Sequence, residues 1–257
     1  MRLAAAGCAA MTFADCLGPG HRSLQALAWL ARVGASPLEP LQLVMGWHER
    51  VAHDHVRRLQ AAHLVARIPM RRGDGSLIVL TRKGAVEAGF SPRHALRSVA
   101  PSTWAHMSAC AWVSAWLEVR GRVWWSEREI LQDDCWRYEV RYKDRRGNVN
   151  VTHRPDLAVQ IDAGPVAIEV ELQPKLRARL QGILGMYAEL CDPADPLLAG
   201  VIYITGSEDI TALVDAAALD VDLGAPALSF RSLETVKQQT RDAALKHRCA
   251  AAAQGVG

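Results

Sequence analysis

Long apolar runs are missing from this 257-residue chain, and tyrosine and phenylalanine are scarce, four and three. No stretch approaches the roughly 18–20 apolar residues needed to span a bilayer, so no membrane partner is expected. Paired cysteines are missing as well. The six cysteines, at 8, 16, 110, 135, 191 and 249, contain no C-x-x-C pair and no zinc-like spacing. That excludes a structural zinc site and reads as scattered thiols of a reducing cytoplasm. No Ser-His-Asp or Cys-His arrangement presents itself. No phosphate-cradling glycine loop is present either, Gly73-x-Gly75 reading as a hairpin turn, which argues against nucleotide-driven chemistry.

What is present is a globular composition, 50% hydrophobic and 22% charged, which excludes global disorder. The net charge of +3 hides an asymmetry: residues 1–100 hold 13 bases against 6 acids, and residues 101–257 hold 17 against 21. A basic front and a mildly acidic back suggest two jobs, with the front the candidate for a polyanion. The small, apolar N-terminus, 1–20, is interrupted by Asp15 and reads as a flexible leader rather than a signal peptide.

The front half reads as three helices and a hairpin. Leu24, Leu27 and Ala31 mark a helix over Ser23–Val33. Ser36-Pro37 opens a second over Leu38–Met45, and Ala52, Val56 and Leu59 mark a third over Glu49–Ala62. Leu64–Ile68 and Leu77–Thr81 flank a Gly-Asp-Gly turn. The pattern, with Val56-Arg57-Arg58-Leu59, Leu64-Val65-Ala66-Arg67 and Leu80-Thr81-Arg82-Lys83-Gly84, resembles the winged helix-turn-helix over residues 21–90. The resemblance implies duplex DNA as partner. The third helix would present Arg50, His53 and Arg57 to a groove, while Arg67, Arg71, Arg72, Arg82 and Lys83 would neutralise phosphates. The crowded histidines 48, 53, 55 and 63 read as solvated or groove-facing. Winged helices often dimerise, which leaves a homodimer open.

Residues 91–101 read as a linker, 102–240 as a second domain, and 241–257 as a flexible Ala-rich tail. A helix is expected over Thr103–Arg120, a capping box at Ser126-Glu127-Arg128-Glu129, and a strand over Trp136–Lys143 turning at Arg145–Asn148. Then His153–Ile161, a Gly-Pro turn and Val166–Gln173 read as a strand hairpin. Period 2 puts Glu169, Glu171 and Gln173 on one face. Two carboxylates so placed need either water or a hard cation beside them. A helix through Leu190, a Gly200–Thr205 strand, a Glu208–Leu219 helix and an Ala227–Phe230 strand complete an α/β (α+β) sandwich around a mixed sheet.

The order, with Pro155-Asp156 and Glu169-x-Glu171 across a hairpin, resembles the PD-(D/E)xK nuclease fold. The resemblance implies that Asp156, Glu169 and Glu171 bind Mg2+ or Mn2+ and activate a water for phosphodiester hydrolysis. Glutamate stands where the family usually has lysine, as in some restriction enzymes of the fold. Lys175 is the candidate to replace the missing cation, and Glu118 the candidate auxiliary helical acid. The whole chain, from winged helix through Glu-Val-Glu-Leu-x-Pro-Lys, Tyr187 and Val-Ile-Tyr-Ile, is similar to the replication-relaxation proteins of actinobacterial plasmids and mobile elements. That resemblance implies a DNA-binding protein acting in replication, relaxation or mobilisation. A magnesium-dependent endonuclease or nickase, and a transcriptional regulator with a degenerate nuclease-fold dimerisation domain, are the alternatives.

Overall fold

Ala52, Val56 and Leu59 recur at helical spacing, and in the computed structural model they form the buried stripe of α3 (Glu49–Ala61). The structure describes residues 22–70 and 75–253. The expected leader, and Arg71 and Arg72 of the hairpin, lie outside the described residues. Helix α1 (Arg22–Val33) and α2 (Leu38–Val44) pack with α3, and β2 (Val65–Pro69) and β3 (Ser76–Leu80) form the expected antiparallel hairpin. A two-residue strand, β1 (Ala35–Ser36), joins it in the order β1-β3-β2. Ser36 is therefore not the helix cap that Ser-Pro suggests. Its hydroxyl donates to the Pro37 carbonyl, 2.7 Å, and Pro37 itself precedes α2.

Thr81 ends the hairpin and caps a short helix, α4 (Arg82–Glu87), its hydroxyl oxygen accepting the Gly84 amide at 3.0 Å. Gly84 sits against the Leu64 carbonyl so closely that any Cβ there would clash with backbone. The supposed linker is packed rather than loose: 3-10 turns occupy Pro92–His94 and Pro101–Thr103, and Val99 is buried between them.

Helix α5 (Trp104–Glu118) is buried on every side from Ala109 to Leu117, a consequence of sitting between a sheet, the front half and the last helix. Beyond it run β4 (Trp124–Trp125), α6 (Glu127–Gln132), β5 (Tyr138–Asp144), β6 (Gly147–His153), β7 (Leu157–Ile161) and β8 (Gly164–Glu171). They are followed by α7 (Arg177–Leu190), β9 (Gly200–Thr205), α8 (Glu208–Leu219), β10 (Leu228–Ser232) and α9 (Leu233–Ala253). The main sheet has five strands in the order β10-β9-β8-β7-β4. β10, β9 and β8 are parallel and the other pairs antiparallel. The fold is therefore mixed α/β around a mixed sheet. No helix among the described residues is long and apolar enough to cross a membrane.

Period 2 sorts the sheet into two faces. Leu157, Val159, Ile168, Val170 and Ile204 pack with α5 and α9, while Ala158, Ala167, Val201 and Tyr203 pack with α7 and α8. The first of these clusters also contains Leu27, Trp29, Leu41, Val56 and Leu80, so the front and back halves share one core. Polar links reinforce the seam. Arg32 spans to Glu129 at 2.9 Å and the Trp124 carbonyl at 2.8 Å, and Arg128 donates to the carbonyls of Ala31 at 3.2 Å and His94 at 2.7 Å. The capping box forms as expected, with Glu129 closing on the Ser126 amide at 2.8 Å. The Ala-rich segment expected to be a tail from 241 instead continues α9 to Ala253. Arg241 pairs with Glu39 at 2.7 Å and Ala244 is buried, and these contacts hold the segment down.

Candidate active site

β7 begins at Leu157, two residues after Pro155, so the Val170 amide of β8 lies beyond the last ladder pair, Leu157 with Ile168. The Asp156 carboxylate takes that amide, 2.8 Å, and so is fixed across the hairpin from the two glutamates. Its other oxygen lies 3.3 Å from His106 Nε2 on α5.

Glu169 and Glu171 share the α7 face of β8, as period 2 requires. They are not on a wet edge, because β8 is flanked by β7 and β9 and covered by α7; they are 2% and 5% exposed. Burial of this kind demands partners. Glu169 Oε1 accepts from the Tyr187 hydroxyl at 2.5 Å and lies 2.8 Å from His153 Nε2. Glu171 Oε2 pairs with Lys175 Nζ, four residues past the end of the strand. Asp156, Glu169, Glu171 and Lys175 thus come together. Gln173 is exposed.

The electrostatics follow the crowding. Burial pushes the Glu171 carboxyl up, Lys175 pulls it down, and the charges of Glu169 and Asp156 push it up again, leaving it raised. His106 is raised, chiefly by its hydrogen bond to Asp156. Burial lowers His153, yet the Glu169 carboxylate outweighs it and the net direction is up. Burial, then the Asp156 charge, raises Glu127 in the first turn of α6. Tyr187 and Tyr203 are driven well up by burial and by the Glu169 charge. The site is a buried acidic cluster, and its carboxylates raise both neighbouring histidines, His106 and His153.

A hard divalent cation suits this donor set: carboxylate oxygens in a partly dry pocket are its preferred ligands. Both contacts of Glu169 fall on Oε1 and the Lys175 contact of Glu171 falls on Oε2, so one oxygen of each is turned to neither. The Tyr203 hydroxyl is buried with no hydrogen-bond partner, within the field of Glu169, Glu171 and Asp156. An orphaned donor there fits a pocket built to receive a ligand. As the side chains stand, no three His, Cys, Asp or Glu residues among the described ones surround a single point. The carboxylates are turned toward protein donors instead.

Glu118 does not belong to the pocket. It accepts the Trp124 indole N–H at 2.8 Å and lies 3.7 Å from Arg32, at the opposite end of α5 from His106. Glu127, in the first turn of α6, is the further acid whose charge reaches His106 and which feels that of Asp156. His106, Glu127, His153, Tyr187 and Tyr203 are the site residues that sequence reasoning missed. Only His153 and Tyr187 carried a local signal, one lying beside Pro155-Asp156 and the other on the apolar stripe of α7.

On the front half, Arg50, His53, Arg57, Arg82 and Lys83 are exposed. Arg57 pairs with Asp54 at 2.9 Å while remaining 80% exposed, and Lys83 donates to the Ala62 carbonyl at 3.0 Å. Arg67 is half-buried, with an unpartnered Nε. His55 departs from the expected solvated side chain: it stacks on Trp47, ring centroids 4.5 Å apart. Burial, then the Arg58 and Arg22 charges, lower its pKa from 6.5, against Asp54. A depressed histidine favours the folded state above its unfolded value and loses that contribution as pH falls through the folded value. We therefore expect His55 to titrate below 6.5 by NMR, and its contribution to stability to fade as the solution is acidified below that value. A His55→Phe variant should flatten this part of the pH–stability profile measured by urea unfolding.

No family model, no curated protein and no solved structure matches the chain.

Proposed function

We propose that this is a DNA-binding protein of a plasmid or mobile element, of the replication-relaxation type. In this reading residues 21–90 are a winged helix-turn-helix that holds duplex DNA, and residues 102–240 are a PD-(D/E)xK-like domain that hydrolyses its phosphodiester bonds with Mg2+ or Mn2+ in the cytoplasm. The observation that carries the reading is the placement of Asp156, Glu169, Glu171 and Lys175 around the end of β8, with both glutamates buried. Burial raises the Glu171 carboxyl despite Lys175, and the charges of Glu169 and Asp156 add to the shift, which a bound cation would relieve. Arg50, His53 and Arg57 on the outer face of α3, with Arg82 and Lys83 beside it, support the DNA partner.

Asp156, Glu169 and Glu171 would hold the cation, which when bound supplies Lewis-acid stabilisation of phosphate charge and a more acidic water. Lys175, tethered by Glu171, orients the phosphate or the attacking water. His106, kept protonated to higher pH by Asp156, is placed to hold a proton at Nε2. His153 and Tyr187 fix the Glu169 carboxylate. A second reading, a nuclease-derived scaffold or regulator without catalysis, is favoured by the donors that already occupy Glu169 and Glu171. Supercoiled plasmid separates the two. Conversion to open circles that requires Mg2+ or Mn2+ supports hydrolysis, and unchanged plasmid in both metals contradicts it.

A further inference from the structure

The strands β5 and β6 form a two-stranded sheet of their own, separate from the main one. Residues 137–153 hold five bases (Arg137, Arg141, Lys143, Arg145, Arg146) against two acids (Glu139, Asp144), although residues 101–257 as a whole are acidic. Alternation divides the ribbon cleanly. Tyr138, Val140, Tyr142 and Val151 turn inward against the α7 side of the core. Glu139, Arg141, Lys143, Asn148, Asn150 and Thr152 are all exposed, and they meet as cross-strand pairs: Glu139 with Thr152, Arg141 with Asn150, Lys143 with Asn148. The turn is tight. Asp144 accepts the Arg146 amide at 2.7 Å, and Gly147, at φ 126°, admits a return after two exposed arginines. Gly182 of α7 lets the ribbon seat closely, since a Cβ there would lie 3.0 Å from the Arg141 carbonyl oxygen and 3.1 Å from Val140. The outer face is therefore polar, cationic and held rigid from behind.

We propose that the outer face of this ribbon is a second DNA-reading surface, inserted into a groove of the duplex that the acidic pocket acts on. This deepens the DNA reading above and rests on it. The major groove accepts a two-stranded ribbon, and the residue types on this face are those that match base edges: arginine or lysine for guanine, asparagine for adenine, and glutamate for the cytosine amino group. Glu139, held by Arg141 at 3.0 Å and by Asn150, lies within this set. The tip arginines and Arg137 fall where flanking phosphates would run. A groove of about 710 Å3 between β5 and α7 runs beside the ribbon, lined by the bases Arg137, Arg141 and Lys143 against the acids Glu139 and Glu189. At its base the ribbon ends in His153, whose ring contacts Glu169. Base pairs read along the ribbon would therefore determine which phosphodiester reaches the acids.

The test uses the full chain and a random-sequence duplex library. Arg145→Ala/Arg146→Ala, at the tip, should lower the slope of log affinity against log salt by about 2, at roughly 0.9 per phosphate contact. Asn148→Ala/Asn150→Ala should keep that slope but lose base preference at a cluster of adjacent positions in the selected sequences. Arg50→Ala/Arg57→Ala, in α3, should disturb a different cluster. Ribbon variants that match wild type in both salt slope and selected sequence would overturn the proposal. If the α3 variant matches wild type while the ribbon variants lose binding, the ribbon stands and the winged-helix reading falls. Absence of any wild-type duplex affinity at low salt would overturn both, and tighter binding to single-stranded RNA than to duplex would overturn the choice of partner.

Discussion

Replacing Asp156 with asparagine should cut metal-dependent plasmid nicking by at least about 100-fold, close to 3 kcal/mol in barrier, while leaving duplex affinity unchanged. The substitution is nearly isosteric, and the amide oxygen of asparagine can still accept the Val170 N–H that joins the loop to β8. What it removes is the negative charge that would bind a cation and that raises His106. The His106 ring should then titrate lower by NMR, while circular dichroism and the melting temperature stay those of the wild type. Nicking that survives Asp156→Asn at the wild-type rate would remove this carboxylate from the chemistry.

Arg32→Ala should be the most destabilising single change at the seam between the halves, by about 3 kcal/mol. The guanidinium is 11% exposed, pairs with Glu129 at 2.9 Å and lies 3.9 Å over the Trp124 ring. Its loss would leave Glu118, 18% exposed, short of its cation. Part of the cost is screened, because Glu129 is 39% exposed. At roughly 2–4 °C per kcal/mol the melting temperature should fall by about 6–12 °C. Because Leu27, Leu41 and Val56 share a core with Trp116 and Ile168, calorimetry should show one transition for the whole chain in wild type and variant alike. Two separated transitions would mean that the seam is weaker than its packing implies.

The pocket was legible where a local rule held and illegible where distance in sequence intervened. Alternation along β8 put Glu169 and Glu171 on one face, and Pro155 marked where the neighbouring strand begins. Alternation does not reveal that a face is covered, and α7 covers this one. His106 reaches Asp156 only because α5 crosses the hairpin, a contact across 50 positions with no signal near either residue. Strand β6 was hidden because Asn148 and Gly147 read as turn, although Val149 and Val151 alternate with polar neighbours in the strand pattern. β1 is two residues long and is made by its pairing to β3 rather than by its own sequence. The Ala-rich end looked loose because small residues carry little apolar surface. In α9 Ala244 packs with Trp112 of α5, and Arg241 adds a tie to Glu39.

The central claim, a cation held by Asp156 with Glu169 and Glu171, is tested most directly by calorimetric titration of Mn2+ into the full chain and into Asp156→Asn. The account predicts a saturable heat at one site in the wild type that disappears in the variant, with both proteins folded by circular dichroism. Equal heats from the two proteins, or negligible heat from both, would contradict it.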